Sequence, residues 1–313
     1  MELSINNTVA VYGVDSAVHA FDALQISGAV GFLLIVLTAV LSSHVQRHFT
    51  WLSFCISWII SCISYALLVL TGNGLKHTPV FELCVAQAAL IYGAPVLTSC
   101  TTFSLAFYMY THVKASLADA SLNGDTFWLV LGPYLIWLGF IIGVLTSGIM
   151  QPSLVRKALN YCDIDSPIPS KASALVVAIS AVGVVTISVF VAVRLYRNRR
   201  SLGHDTLYVT AAIRVILFGL VGFLGFVVSA VYIITWDQGP VFDIILALVP
   251  NFGVVIFGSQ ADILHAWMAL LNFRKHCHCY IAIPSLRNTG SAAGKSPLRR
   301  AESTPLRVLH SDQ

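Results

Sequence analysis

Seven stretches of this chain carry no Asp, Glu, Lys or Arg: 23–46, 48–75, 83–113, 126–155, 172–193, 215–236 and 244–261. Each contains at least 18 residues, the length at which an apolar helix can cross the hydrocarbon core of a bilayer. A helix in lipid satisfies its own backbone hydrogen bonds, so the pattern predicts seven transmembrane helices. A transmembrane barrel needs short segments of alternating polarity, which this pattern does not contain. The longest stretch lies between Glu82 and Lys114 and reads FELCVAQAAL, then the breaker-rich IYGAPVLTSCTT, then the aromatic FSLAFYMYTHV. Beyond the seventh stretch the period changes. Ser259 or Asp262 can cap a new helix, and Ile263, Leu264, Trp267, Leu270 and Leu271 then share one face. That arrangement predicts a short amphipathic helix over 262–276, lying along a leaflet.

Composition agrees with a chain dissolved in lipid. Of 313 residues 57% are hydrophobic and 10% charged, with a mean hydropathy of +0.80. Soluble domains carry about a quarter charged residues. The net charge of +4 therefore says nothing about nucleic acid, and none is expected as a partner. What matters is which side holds the basic residues. Lys76, Arg156, Lys157 and Lys171 fall on the side of the N-terminus. Opposite them lie Arg47, Lys114, Arg194, Arg197, Arg199, Arg200, Arg214, Arg274, Lys275 and Arg287. The positive-inside rule then places the N-terminus outside and the C-terminus in the cytosol, as expected of a multi-pass plasma-membrane protein. Met-Glu opens the chain without a basic n-region, so no cleaved signal peptide is expected and the first span should direct insertion. The expected organisation is an extracellular N-terminus over 1–22, a seven-helix bundle over 23–261, the amphipathic helix over 262–276 and a disordered cytosolic tail over 277–313.

This topology locates the cysteines. Cys84 at the head of the third stretch and Cys162 in the longest outer loop are the two that face the oxidising side, so a disulfide between them is expected. Cys55 and Cys62 lie within hydrocarbon, where thiols act as small buried hydrophobes. Cys277 and Cys279 follow the amphipathic helix at the membrane edge, where palmitoylation is the usual fate. The surrounding His-Cys-His-Cys run has no further ligands nearby, and no metal is expected. Asn6-Asn7-Thr8 makes Asn6 a glycosylation candidate. The basic loop RLYRNRRSLGHD either satisfies the positive-inside rule and touches anionic lipid or offers Arg194, Arg197, Arg199 and Arg200 to a cytosolic partner.

Function is constrained mainly by what the spans lack. Pumps and coupled transporters keep ionisable residues at mid-membrane. Here the stretches are charge-free, and the acids Glu82, Asp237, Asp243 and Asp262 stand at their rims. The seventh stretch has no lysine for a retinal Schiff base. No nucleophile elbow or paired carboxylate appears, so neither an enzyme nor a cofactor is expected. Neutral polar and aromatic groups remain: Gln87, Tyr92, Tyr232, Trp236 and Asn251 are ligand-contact candidates, each equally explained by packing. Arg214 and Asp262 form a candidate latch between the inner ends of the sixth and seventh spans.

Cys84 and Gln87 in LCVAQAAL, Cys162 in the second outer loop, and IFGSQADILHAW ending the seventh span together resemble fungal seven-transmembrane G-protein-coupled receptors. The last run is similar to an FGT-Q-x-D-I-x-x-A-W pattern over Phe257 to Trp267, and the Cys-x-x-Gln opening is more distantly similar to cAMP-receptor-like proteins. The resemblance implies coupling to a heterotrimeric G protein and an extracellular small-molecule or lipid ligand. The third span ends AFYMYTHVKAS without Asp-Arg-Tyr, and the seventh reads PNFGVVIF in place of Asn-Pro-x-x-Tyr. Rhodopsin-like switch residues therefore do not transfer, and the chain does not show the sequence expected of a fungal pheromone receptor. The alternative is a seven-helix transporter or lipid-handling protein, for which internal repeat symmetry between the first three and last three spans is not evident.

Overall fold

A computed structural model describes residues 2–42, 47–73, 79–117, 126–158, 160–197 and 240–277, with a few positions between 217 and 230. The helices are α1 (Glu2–Leu41), α2 (Phe49–Leu70), α3 (Phe81–Leu117), α4 (Phe127–Met150), α5 (Pro167–Arg197), α6 (Pro240–Gly258) and α7 (Ala261–Cys277). Between α4 and α5 lie a 3₁₀ turn, Pro152–Leu154, and two short strands, β1 (Val155–Lys157) and β2 (Cys162–Ile164). Residues up to Leu270 form one compact unit. Among the described residues five helices, α1 to α5, are long and apolar enough to cross a membrane, or six if the bent pair α6–α7 counts as one span. The chain is an all-α, multi-pass membrane protein.

Exposure around the helices follows the lipid. In α4 and α5 only 11% and 17% of the spanning window is buried, and Ile136, Ile142, Ile179 and Val189 turn outward, where acyl chains replace water as solvent. In α3 the figure is 67%. It packs against α2, α4 and α5 and is the central post. Pro95 removes one backbone donor from α3, and a turn further on the Thr98 hydroxyl donates to the Ala94 carbonyl at 3.1 Å. A hydroxyl pair, Ser57 with Thr101 at 2.8 Å, joins α2 to α3 in a buried position.

The first span differs from its sequence reading. The charge-free stretch begins at 23, but α1 is helical from Glu2, and among the described residues its part long and apolar enough to cross a membrane is Ser16–Leu41. Its inward stripe is Val18, Phe21, Asp22, Gln25, Phe32, Ile35 and Thr38, all buried. Asp22 therefore does not end the span at a rim but turns into the bundle. The helix continues because a carboxylate interrupts hydropathy without interrupting the backbone hydrogen-bond ladder.

Close contact between α1 and α6 depends on glycine. A Cβ at Gly31 would sit 2.6 Å from both methyls of Val254, and one at Gly253 would sit 2.8 Å from the Phe32 ring. The two helices meet at a separation that side chains would not allow. After Gly258 the chain bends by 77° into α7. The expected apolar face of this helix is divided. Ile263 is fully buried with Phe32, Ile35, Trp51, Phe54 and Phe257, whereas Leu264 is exposed. Trp267 donates its indole N–H to the Thr38 hydroxyl at 2.7 Å, docking α7 under α1.

Candidate functional site

The end of the bundle that carries the hairpin is organised by Cys84 and Cys162, which form a disulfide with a Cα–Cα distance of 5.2 Å. The bond fixes β2 beside the first turn of α3, packed with Leu68. Strand register pairs Val155 with Ile164, Arg156 with Asp163 and Lys157 with Cys162. Cross-strand, Arg156 donates to Asp163 at 3.1 Å and approaches Asp165 at 3.2 Å. Burial raises the Asp163 carboxyl above its usual range, with Arg156 opposing that shift.

Two of the ligand-contact candidates hold this hairpin in place. Gln87 is fully buried; its Oε1 accepts the Cys162 N–H at 3.0 Å, and its Nε2 points at the Ser64 and Tyr65 carbonyls at 3.4 and 3.5 Å. Tyr92 meets both backbone groups of Ile164 through its hydroxyl, each at 3.4 Å. Five residues apart on α3, these side chains occupy the polar groups of β2 that the short ladder leaves over. Asn251 serves another joint. It donates to the Leu24 carbonyl at 2.9 Å and to Ala247 at 3.0 Å, and accepts from Ser27 at 2.7 Å, tying α6 to α1. Tyr232 and Trp236 lie outside the described residues.

The far end of the hairpin reaches α6. Tyr161 donates its hydroxyl to Asp243 Oδ1 at 3.0 Å, and Asn160 donates its amide to Oδ2 at 3.1 Å. The Tyr161 ring packs against Phe21 and Tyr65 at centroid distances of 6.2 and 5.9 Å, and those two meet edge to face at 6.0 Å. An aromatic trio from α1, α2 and the hairpin thus closes this end, flanked by Asp22 on α1 and Asp243 on α6. Neither acid makes an ion pair among the described residues. No family model and no curated protein matches this chain.

At the opposite end, Asp262 pairs with Arg47, which also reaches Gln260 and lies over the Trp51 ring at 5.3 Å. This pair joins the flank of α2 to the α6–α7 bend; Arg214, the partner expected from sequence, lies outside the described residues. Beside it His48 caps α2, its Nδ1 accepting the Thr50 N–H at 3.3 Å, and its ring stacks on Tyr108 at 4.0 Å. Burial, and secondarily the nearby His112, holds His48 below the usual imidazole range.

Arg194 and Arg197 are exposed in the last turn of α5, while Arg199 and Arg200 lie outside the described residues. Cys277 is the last residue of α7, and Cys279 is outside them. Asn6 falls within helical α1. The residues that sequence reasoning missed are Asp22, Asn160, Tyr161 and Arg47. A signal existed for one of them: Asp22 lies four residues after Val18 and three before Gln25, on the spacing of a buried helical face.

Proposed function

We propose that this chain is a seven-helix cell-surface receptor of the plasma membrane, with its N-terminus outside and C-terminus cytosolic. It binds an extracellular small molecule or lipid and signals through its cytosolic loops to a heterotrimeric G protein, without enzymatic activity. The observation that carries the reading is the disulfide-anchored hairpin, bonded to α3 through Gln87 and Tyr92 and to α6 through Asp243. A disulfide belongs on the oxidising side of a membrane, which supports the orientation drawn from the basic residues. A loop tied to several helix ends is suited to sensing a ligand there and transmitting a change in helix arrangement. Leu217, Leu220, Phe223, Leu224, Val227 and Ala230 are helical, and the four central ones are exposed, which supports a further lipid-facing span over 215–236. The resemblance of LCVAQAAL and IFGSQADILHAW to fungal receptors supports G-protein coupling.

One observation favours the alternative of a transporter. Asp22 is a buried acid within a candidate span, the kind of group that relays use. Proximity labelling between the full chain and the host's Gα subunits, with and without a panel of extracellular small molecules, separates the two. Ligand-dependent labelling is expected. Absence of labelling in every condition, with solute uptake in proteoliposomes, would overturn the receptor reading.

A further inference from the structure

We infer that the acidic–aromatic cluster at the hairpin end of the bundle binds a protonated amine, held between Asp22 on α1 and the Asn160–Asp243 pair and covered by Phe21, Tyr65 and Tyr161. This inference deepens the receptor reading above and rests on it for its biological sense, but the binding itself does not depend on G-protein coupling.

Two buried acceptor oxygens point to such a ligand. Asp22 is 8% exposed and its Oδ1 finds no hydrogen-bond partner among the described residues. Asn160 is also 8% exposed; its Nδ2 is used by Asp243, and its Oδ1 finds no partner among the described residues either. Buried oxygens of this kind are costly unless a donor meets them. Both lack a donor, and one belongs to an acid, so the complementary group is a cation that carries N–H bonds.

The register of α1 against α6 puts the two acids near one level. Gly28 faces Pro250, Gly31 faces Val254 and Gly258 faces Ile35. Continued outward at the same offset along this parallel pair, Ala247 falls beside Leu24 and Asp243 beside Phe21, so that Asp22 and Asp243 stand near one level. Phe21 packs on Tyr161, whose neighbour Asn160 and own hydroxyl both reach Asp243. Three electron-rich rings beside two acids is the chemistry that recognises an ammonium group, through ring faces and charge-assisted hydrogen bonds together. The hairpin's described ties to α6 are the two hydrogen bonds to Asp243, whereas its β2 end is covalently fixed to α3.

The test uses the full chain in phosphatidylcholine nanodiscs, without G protein. Phenethylamine, its neutral counterpart 2-phenylethanol and tetramethylammonium are titrated while thermal unfolding and intrinsic fluorescence are followed. Phenethylamine is expected to bind and raise the unfolding temperature. Tetramethylammonium, which has charge but no N–H, should bind more weakly, and the alcohol at least about tenfold more weakly. Asp22→Asn keeps the shape and should weaken phenethylamine about tenfold or more, whereas Asp22→Glu should retain part of the binding. Tyr161→Ala, which opens the aromatic cover, should weaken all three ligands. Equal binding of amine and alcohol, an unchanged affinity in a folded Asp22→Asn protein, or no binding of any amine would each overturn the inference. Amine binding that persists in a chain unable to label Gα would leave this inference standing while the receptor reading falls.

Discussion

Replacing Gln87 separates its two possible roles, because a hairpin anchor and a ligand contact respond differently. Gln87 is fully buried, and its shortest bond is the one it accepts from the Cys162 N–H, at 3.0 Å. The Ser64 and Tyr65 carbonyls opposite its Nε2 lie inside α2 and keep the acceptor positions of the helix ladder. In Gln87→Leu the stranded group is therefore one donor, the Cys162 amide, at a cost of about 1–3 kcal/mol. Gln87→Ala adds a cavity and should cost about 1–2 kcal/mol more. Gln87→Glu can still accept from Cys162 and, when protonated, donate toward α2, so its deficit should be small at acidic pH and larger at neutral pH. Tyr92→Phe removes two bonds of 3.4 Å and should cost about 0.5–1.5 kcal/mol. Thermal unfolding in nanodiscs reads these as shifts of about 2–4 °C per kcal/mol. The rate at which an impermeant phosphine reduces the disulfide reads whether β2 has loosened. Gln87→Leu and Gln87→Ala proteins that unfold at the wild-type temperature and resist reduction as well would refute the anchoring role.

At the opposite end Arg47→Ala should destabilise the protein by about 1 kcal/mol, a modest figure because Asp262 is 40% exposed and screened by solvent. A double-mutant cycle with Asp262→Asn should return a coupling of about 0.5–1 kcal/mol that shrinks in high salt; zero coupling would leave the pair without energetic meaning. His48 is held below its usual range, so the unfolded chain binds its proton more readily, and the stability it contributes is present above about pH 6.5 and lost as pH falls through the folded value. Exchange of the Thr50 and Trp51 amides should accelerate on acidification, and His48→Asn, which retains a cap, should remove that dependence. Gly31→Ala brings a methyl to 2.6 Å from Val254 and should cost about 1–3 kcal/mol, with Val254→Ala restoring most of it. An unperturbed Gly31→Ala protein would mean that α1 and α6 do not pack at this separation.

The spans were legible because lipid imposes one rule on every residue of the backbone, and charge-free length answers to that rule alone. Most stretches begin and end within a few residues of α2 to α6. The exception is instructive. Asp22 closes the first stretch by charge, yet it stands on the buried stripe between Phe21 and Gln25, because an acid can be accommodated where helices face one another. The disulfide was legible from topology, but what it does for its neighbours was not. Gln87 and Tyr92 become anchors only once β2 is laid beside α3, and no local pattern encodes that meeting. The ion pair at the opposite end shows a related limit. Asp262 was visibly in need of a cation, and among the described residues the one that meets it is Arg47, 215 residues away; Arg214, the candidate along the expected helix pair, lies outside the described residues. Within α7, periodicity placed Ile263 and Leu264 on one apolar face without distinguishing protein from lipid as the surface each meets.

The anchors also differ in how readily they yield, and that difference bears on how a ligand at the hairpin end would act. Near α3 the hairpin is held by a covalent bond together with Gln87 and Tyr92. Near α6 its described ties are two hydrogen bonds to Asp243 and the packing of Tyr161. A ligand that competes for Asp243 or displaces Tyr161 therefore moves the turn and the head of α6 before it moves α3. That helix has little freedom to flex alone, since Gly31 and Gly253 hold it against α1 at close approach and Asn251 bonds across the same seam. A displacement at its head would pass to its far end, where the bend into α7 is pinned by Arg47. Such a line of contacts has signalling meaning only if the α6–α7 bend has two arrangements that the ligand distinguishes. The coupling between Asp243→Asn and Arg47→Ala measures that directly: sites at opposite ends of α6 add independently in a rigid bundle, and depart from additivity when the helix switches as a unit.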